Sequence, residues 1–377
     1  MRFSIDQAAF LNGVQTVQRA ISTKNVLPPI LSGIYLEARD GKLILRATDL
    51  EIGIESVLPA TVAGEGAVVL PARYFTEIVR KLPAMEISVE EAGNGQVRIS
   101  YGKSEILLNA YDADEFPALQ DFRDDISFKI SQNRLTSAIR NVSIAASVDY
   151  SRPIFTGILL ELVDGKLLKM VATDTHRLAY CEVDVDMSTV EDSLSLIVPS
   201  RSLNELGRIF SPEEESVVRI VVDENKILFE TENIRITSRL IEGKFVNYRQ
   251  VIPESWNTRV RMLRKPFYDA LDRASLLSRD DLSKKKLNTV KMVIDEGSME
   301  ISSKSAQIGE LEEKVPVHLE GERLEIGFNS RYLLDVLRVM DQEEIVLDLT
   351  SALSPGIIRP LEENNHTLFL VLPIRLG

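Results

Sequence analysis

A stretch near the middle of the chain, Phe155 to Leu178 (FTGILLELVDGKLLKMVATDTHRL), has a near copy 124 positions earlier, beginning at Leu31. Without a gap, Gly33, Ile34, Leu36, Glu37, Asp40, Gly41, Lys42 and Leu43 recur as Gly157, Ile158, Leu160, Glu161, Asp164, Gly165, Lys166 and Leu167. After one inserted residue, Ala47-Thr48-Asp49 recurs as Ala172-Thr173-Asp174. A chain made of copies of one unit folds as copies of one domain, so this repeat restricts the fold more than any other feature. The unit itself reads as two strands joined by an Asp-Gly turn, where glycine supplies the positive φ of a tight hairpin. The copies part at Leu50-Glu51-Ile52 and Thr175-His176-Arg177. A repeat that stops repeating points to function.

A second element occurs three times: Leu70-Pro71-Ala72-Arg73 running into Glu77-Ile78, Val198-Pro199-Ser200-Arg201 into Glu205-Leu206, and Phe328-Asn329-Ser330-Arg331 into Asp335-Val336. In each, a strand enters a helix start, and Arg80, Arg208 and Arg338 follow at the same place. A further helix opens each copy. Phe10, Val14 and Val17 share a 4-then-3 spacing with Leu135, Ile139 and Val142, and with Phe267, Leu271 and Ala274, which is one helix face. Alternating runs such as Met85–Glu90, Val217–Val222 and Ile345–Leu349 read as strands. The third hairpin, Val290–Ile294 with Met299–Ser302 around Asp295-Glu296-Gly297, is the most diverged. The spacing predicts an α+β chain of three repeated domains, each with two helices on one face of antiparallel sheets.

Cys181 is the only cysteine of the 377 residues, which excludes a disulfide framework and a cysteine metal site and predicts a reducing, cytoplasmic setting. The N-terminus lacks the apolar segment of a leader, and no apolar run approaches a membrane span. The net charge of −13 alone argues against nucleic acid. Its distribution argues the other way. The segments holding the two helices of each repeat carry about +12, and the remainder about −25. Tolerant helix faces explain such a pattern blandly; the sharper reading turns all the helices toward one polyanion. With no base-reading motif and few aromatics, that contact would run through the backbone, without sequence preference. Nucleotide-binding glycine loops, a nucleophile elbow and metal-spaced histidines are absent. Asp174 beside His176 leaves a hydrolase or lyase open. Asp49 holds the equivalent place without a histidine, which favours a turn residue there, with His176 and Arg177 lining a surface groove. The tail, Thr367–Leu376, is apolar to its end, and Leu372-Pro373-Ile374-Arg375 reads as a segment packed over a groove.

The threefold repeat, ATDTHRLA at 172–179, KFVNYRQVIP at 244–253 and the closing LPIRLG resemble, over the whole chain, the bacterial DNA polymerase III beta subunit family, the sliding clamps. The resemblance implies clamp domains at 1–122, 129–253 and 254–377, closing with a second copy into a head-to-tail homodimeric ring around duplex DNA. It implies no catalysis, cofactor or metal. The implied partners are double-stranded DNA, the replicative polymerase, the clamp loader and repair proteins that dock by short peptides; no membrane is involved. A specialised paralogue or non-ring scaffold of the same family stays open. Matched position by position, the family's peptide groove would involve Phe155, Thr173, Thr175, His176, Arg177, Leu178, Val246, Val251, Tyr332, Ser354, Leu370, Leu372, Pro373, Ile374 and Arg375. Lys24, Arg73, Arg152 and Arg201 would face DNA. Thr175 stands where the family usually has glycine or serine, and Val246 where proline is frequent, so the pocket's shape should differ.

Overall fold

The computed structural model describes residues 1–21, 28–118, 122–190, 193–210, 216–278, 288–305, 308–362 and 366–376. Six helices occur among these residues: α1 (Gln7–Gln18), α2 (Ala72–Lys81), α3 (Gln132–Ser143), α4 (Ser200–Ile209), α5 (Arg264–Ser278) and α6 (Ser330–Val339). Each repeat contains a meander of three strands and ends on a further strand. In the first, these are β1 (Gly33–Arg39), β2 (Lys42–Thr48), β3 (Ile52–Pro59) and β4 (Ser104–Asn109). In the second, they are β5 (Gly157–Val163), β6 (Leu167–Thr173), β7 (Arg177–Asp184) and β8 (Ile234–Arg239). In the third, they are β9 (Thr289–Asp295), β10 (Ser298–Ser305), β11 (Gly309–Pro316) and β12 (Thr367–Val371).

Every labelled pairing is antiparallel. β3 pairs with β8, from Ile52↔Ser238 to Ser56↔Ile234. This seam joins the four-stranded meander sheet of repeat one to the five-stranded terminal sheet of repeat two, giving nine strands. β7 pairs with β12, from Arg177↔Val371 to Cys181↔Thr367, and builds a second nine-stranded sheet in the same way. A five-stranded sheet ending on β4 and a four-stranded sheet ending on β11 remain. The seams therefore organise two compact units: Met1–Asn133 with Val185–Glu191 and Glu205–Leu240, and Arg134–Asp184 with Asp192–Asn204 and Ile241–Gly377.

The helix faces expected from spacing are the core. Phe10, Val14, Val17, Leu135, Ile139, Val142, Phe267, Leu271 and Ala274 are all buried. In the first unit, Phe10 of α1 meets Phe3 edge-on at 6.0 Å and Phe75 of α2 at 5.6 Å, tying strand and both helices together. Among the described residues no helix is long and apolar enough to cross a membrane.

The first hairpin turns on Asp40 (φ 51°) and Gly41 (φ 72°), both in the left-handed region that a two-residue turn needs. In repeat two the inserted residue is absorbed by the turn. Val163 pairs with Leu167, so Lys166 lies in the loop, whereas its ungapped match Lys42 pairs with Arg39. Register thus makes Leu168, opposite Leu162, the counterpart of Leu43, opposite Ala38; the sequence match of Leu43 to Leu167 is one residue out.

Gly33 and Gly157 recur for a steric reason. A Cβ at Gly33 would lie 2.4 Å from Val69 Cγ1, and at Gly157 2.4 Å from Ile197 Cγ2 and 2.8 Å from Ile241 Cδ1. The neighbouring strand fills the space that a side chain would need. Gly157→Ala should therefore destabilise the second unit by about 1–3 kcal/mol through overpacking, read from urea unfolding. An unchanged midpoint would show that Ile197 and Ile241 yield freely.

Candidate functional site

The turn between β6 and β7 is built from two short side chains. Thr173 Oγ1 donates to the Arg177 carbonyl (2.7 Å) and accepts from the Thr175 N–H (3.1 Å). Asp174 Oδ1 accepts from the N–H groups of His176 (2.9 Å) and Arg177 (3.0 Å). Repeat one does the same. Thr48 Oγ1 donates to the Ile52 carbonyl (2.9 Å) and accepts from Leu50 (3.0 Å), while Asp49 Oδ1 accepts from Glu51 (3.1 Å) and Ile52 (3.0 Å). Aspartate is suited to this task because its carboxylate reaches main-chain donors two and three residues on. The carboxylate of Asp174 is thus engaged by the turn, and its second oxygen accepts from Arg177 Nε at 3.0 Å.

What differs is what the turn presents. Arg177, where repeat one has Ile52, sends Nη1 to Asp335 of α6 (2.7 Å) and lies over the Tyr332 ring, 4.5 Å from its centroid. The Tyr332 ring in turn stacks on His176 at 6.4 Å. Burial, followed by the negative charge of Asp174, pushes the Tyr332 hydroxyl above its ordinary pKa, so it stays protonated. Two carboxylates and an aromatic face hold the guanidinium in one place.

Behind this turn lies a cavity of about 260 Å³. Its floor includes Leu178 and Leu370, cross-strand partners of β7 and β12, both buried. Phe155, Thr173, Thr175, His176, Arg177, Val246, Val251 and Leu372 complete the part of the lining expected from sequence. Val246 is 39% exposed and Val251 51%, an apolar rim open to water. Asn247 and Tyr248 also line it and were missed. The one aromatic in the polar stretch Asn247–Gln250 was the available signal.

Five other expected groove residues do not line this cavity. Tyr332 stands behind His176 and Arg177. Ser354 belongs to a turn in which its hydroxyl meets that of Ser351 at 2.8 Å. Leu372 N donates to the His176 carbonyl (2.9 Å), one rung past β12; Pro373 has no N–H and ends the ladder. Ile374 N then bonds the Gly327 carbonyl at 2.8 Å, and Arg375 beyond it is exposed. Of the residues expected to face DNA, Arg73 (α2), Arg201 (α4) and Arg152 (the loop before β5) are exposed, and Lys24 lies outside the described residues.

Thr175 has φ 77° and Leu50 φ 74°, conformations that cost side-chain-bearing residues about 1–2 kcal/mol. Thr175→Gly and Leu50→Gly should each stabilise the chain by about 0.5–1 kcal/mol after the extra chain entropy of glycine is counted. Chemical denaturation measures it, and a loss of stability in both would mean the turns carry no strain.

The sequence matches three family descriptions in order: "DNA polymerase III beta subunit, N-terminal domain" over residues 1–120, "central domain" over 129–247 and "C-terminal domain" over 249–375. A protein of Staphylococcus epidermidis called beta sliding clamp is 34% identical over 384 residues, covering 100% of this chain and 99% of that one. The crystal structure of a DNA polymerase sliding clamp from Bacillus subtilis superposes with TM-score 0.92 at 34% identity, over the whole of both chains. A Pseudomonas aeruginosa sliding clamp bound to griselimycin gives 0.92 at 31%, also over both whole chains.

Proposed function

This chain belongs to the DNA polymerase III beta subunit family, and from that premise we propose that it is a processivity factor: a ring of two copies, head to tail, that encircles duplex DNA and tethers the replicative polymerase. The observation that carries the ring is the seam. The third strand of one meander pairs with the last strand of the next repeat twice, β3 with β8 and β7 with β12. That use of edges leaves β11 and β4, each the outermost strand of its sheet. If repeat three meets repeat one by the same rule, β11 of one copy pairs with β4 of another, and a third kind of nine-stranded sheet closes the ring. Apolar side chains support this: Leu107 of β4 is 47% exposed, and Ile308 before β11 and Leu276 of α5 are exposed too.

Copy number follows from helix width. Six helices about 10 Å across leave a bore of about 9 Å, too narrow for a duplex about 20 Å wide, whereas twelve leave about 28 Å. Two chains of three clamp domains, 1–122, 129–253 and 254–377, supply twelve. In a water-filled bore Arg73, Arg152 and Arg201, with Lys24, would meet phosphates loosely. Direct affinity is then low, indifferent to sequence and salt-sensitive, and topology retains the ring. The ring does no chemistry of its own and works in the cytoplasm with its loader, polymerase and repair clients. The groove at Thr175–Leu178 takes their peptides, its apolar floor holding Leu or Phe anchors that contribute about 1.5–3 kcal/mol each when buried.

Two expected outcomes test this reading. The chain should sediment as a dimer at micromolar concentration and stay on nicked circular DNA at salt that strips it from the same DNA linearised. Leu107→Glu should give folded monomers that are lost from both DNA forms alike. Equal salt sensitivity of the native chain on circle and line sinks the topological account. Separately, deleting Leu372 to Gly377 should weaken a Leu- and Phe-bearing client peptide at least about tenfold, about 1.4 kcal/mol, by calorimetry, with the dimer intact. Unchanged affinity would move the partner site elsewhere.

A further inference from the structure

The groove wall opposite the β6–β7 turn comes from residues 241–252, which form no strand and carry Val246, Asn247, Tyr248 and Val251 to the cavity. Its start is tied by the Ile241 N–H to the Ile197 carbonyl (2.8 Å), and a single 3₁₀ turn, Tyr248–Val251, follows. The anchor is Tyr248, the first residue of that turn. Tyr248 is 3% exposed, packed in one cluster with Leu159 and with the floor residues Leu178 and Leu370, and its ring lies 5.8 Å from that of Tyr180. Its hydroxyl donates to Glu161 Oε2 at 2.9 Å. The guanidinium of Arg249 donates to the same oxygen and lies over the Tyr248 ring, 4.7 Å from its centroid. One carboxylate oxygen thus receives two donors from the wall.

Resting on the groove reading above, we propose that Glu161, which lines no part of the cavity, is a positioning residue that fixes the groove wall by latching Tyr248 and Arg249 and so sets peptide affinity. Glu161 sits on β5 beside Leu159 on the same face, and Leu159 packs in one buried cluster with the floor residues Leu178 and Leu370, so the strand that carries the latch backs the floor. Its counterpart in repeat one, Glu37, serves a different purpose: it pairs with Arg46 (3.5 Å) of the neighbouring strand and accepts from the Tyr35 hydroxyl (3.4 Å) within its own strand. The glutamate recurs while its partners change where the groove wall arrives. Burial, and then the bond to Glu161, raises the Tyr248 hydroxyl pKa, which keeps it a donor at working pH. A wall without strand pairing that carries exposed valines must be ordered at each binding event unless it is already held, and prior ordering is what a latch contributes to affinity.

The test uses the full-length dimer and a fluorescent synthetic peptide bearing adjacent Leu and Phe, followed by anisotropy. Glu161→Ala should weaken the peptide at least about tenfold. Glu161→Gln, whose amide oxygen still accepts from Tyr248, should recover a substantial part. The double variant Glu161→Ala/Tyr248→Phe should bind within about twofold of Glu161→Ala alone, because Tyr248→Phe removes a contact that Glu161→Ala has already broken. Dimer sedimentation and retention on circular DNA should not move. The truncation of Leu372 to Gly377 separates the two readings. If it weakens the peptide while Glu161→Ala stays within twofold of the native chain, the latch is overturned and the groove stands. If the truncation has no effect, the groove reading itself fails. Should Glu161→Ala lower the melting temperature, Tyr248→Phe decides, since it keeps the ring in place, and unchanged affinity there overturns the proposal. Fully additive losses in the double variant overturn it as well.

Discussion

Everything in this molecule depends on the pairing of one repeat's third meander strand with the next repeat's last strand. A free strand edge presents unpaired N–H and C=O groups and invites association. The chain satisfies two such pairs of edges within itself, β3 with β8 and β7 with β12, each over five rungs. The seams fix where the repeats meet, and the groove is a by-product of one of them. Leu178 and Leu370 become neighbours only because β7 and β12 are in that register. The shift of a single residue would turn both leucines away from the floor.

The same turn illustrates how a repeat acquires a new surface without new architecture. Thr48-Asp49 and Thr173-Asp174 make matching sets of hydrogen bonds, so the backbone was already solved. Changing Ile52 to its counterpart Arg177 places a cation between Asp174 and Asp335 and over Tyr332. None of these partners is a main-chain group of the turn. The new contacts are side-chain contacts added to an unaltered frame: Asp174 builds the turn as Asp49 does, and what its neighbours present is what differs.

Much of this was legible in the sequence, and the failures have physical causes. Helix faces such as Phe10, Val14 and Val17 declare themselves by period, because burial acts on every turn of a helix. The Asp40-Gly41 turn declares itself by backbone need. The seams declare nothing, since pairing across an edge uses main-chain groups that every residue carries, and so the two units of the fold cut across the repeats unannounced. The register of the second hairpin misled for a related reason: Lys166 and Leu167 copy Lys42 and Leu43 in letters, yet the extra residue is accommodated where the chain is least constrained, in the loop. Among the expected groove residues, Tyr332 touches the cavity through His176 and Arg177, and Ile374 is held by its backbone on Gly327, because a match in sequence names a neighbourhood and not a contact. Beyond its place as the one aromatic in a polar stretch, Tyr248 carries no signal of its own in the sequence: it is a buried aromatic, and only its hydroxyl, on Glu161, joins the core to the groove wall.

The sign of the charge is not uniform along the chain. A net charge of −13 would keep the chain off DNA, were the sign uniform. The described arginines expected to face DNA, Arg73, Arg152 and Arg201, are exposed on helices or at a loop, while acidic side chains crowd the strands: Glu310, Glu312 and Glu313 all belong to β11. A protein that must stay on DNA and yet move along it gains from weak, scattered phosphate contacts, because each strong one would have to break at every step. In the proposed ring, acidic strands outside the bore would remove the competing mode in which the outer surface binds DNA. Retention is then left to the closed seam, and the β-edge that holds two repeats together inside the chain is, on this reading, also what holds the ring to its track.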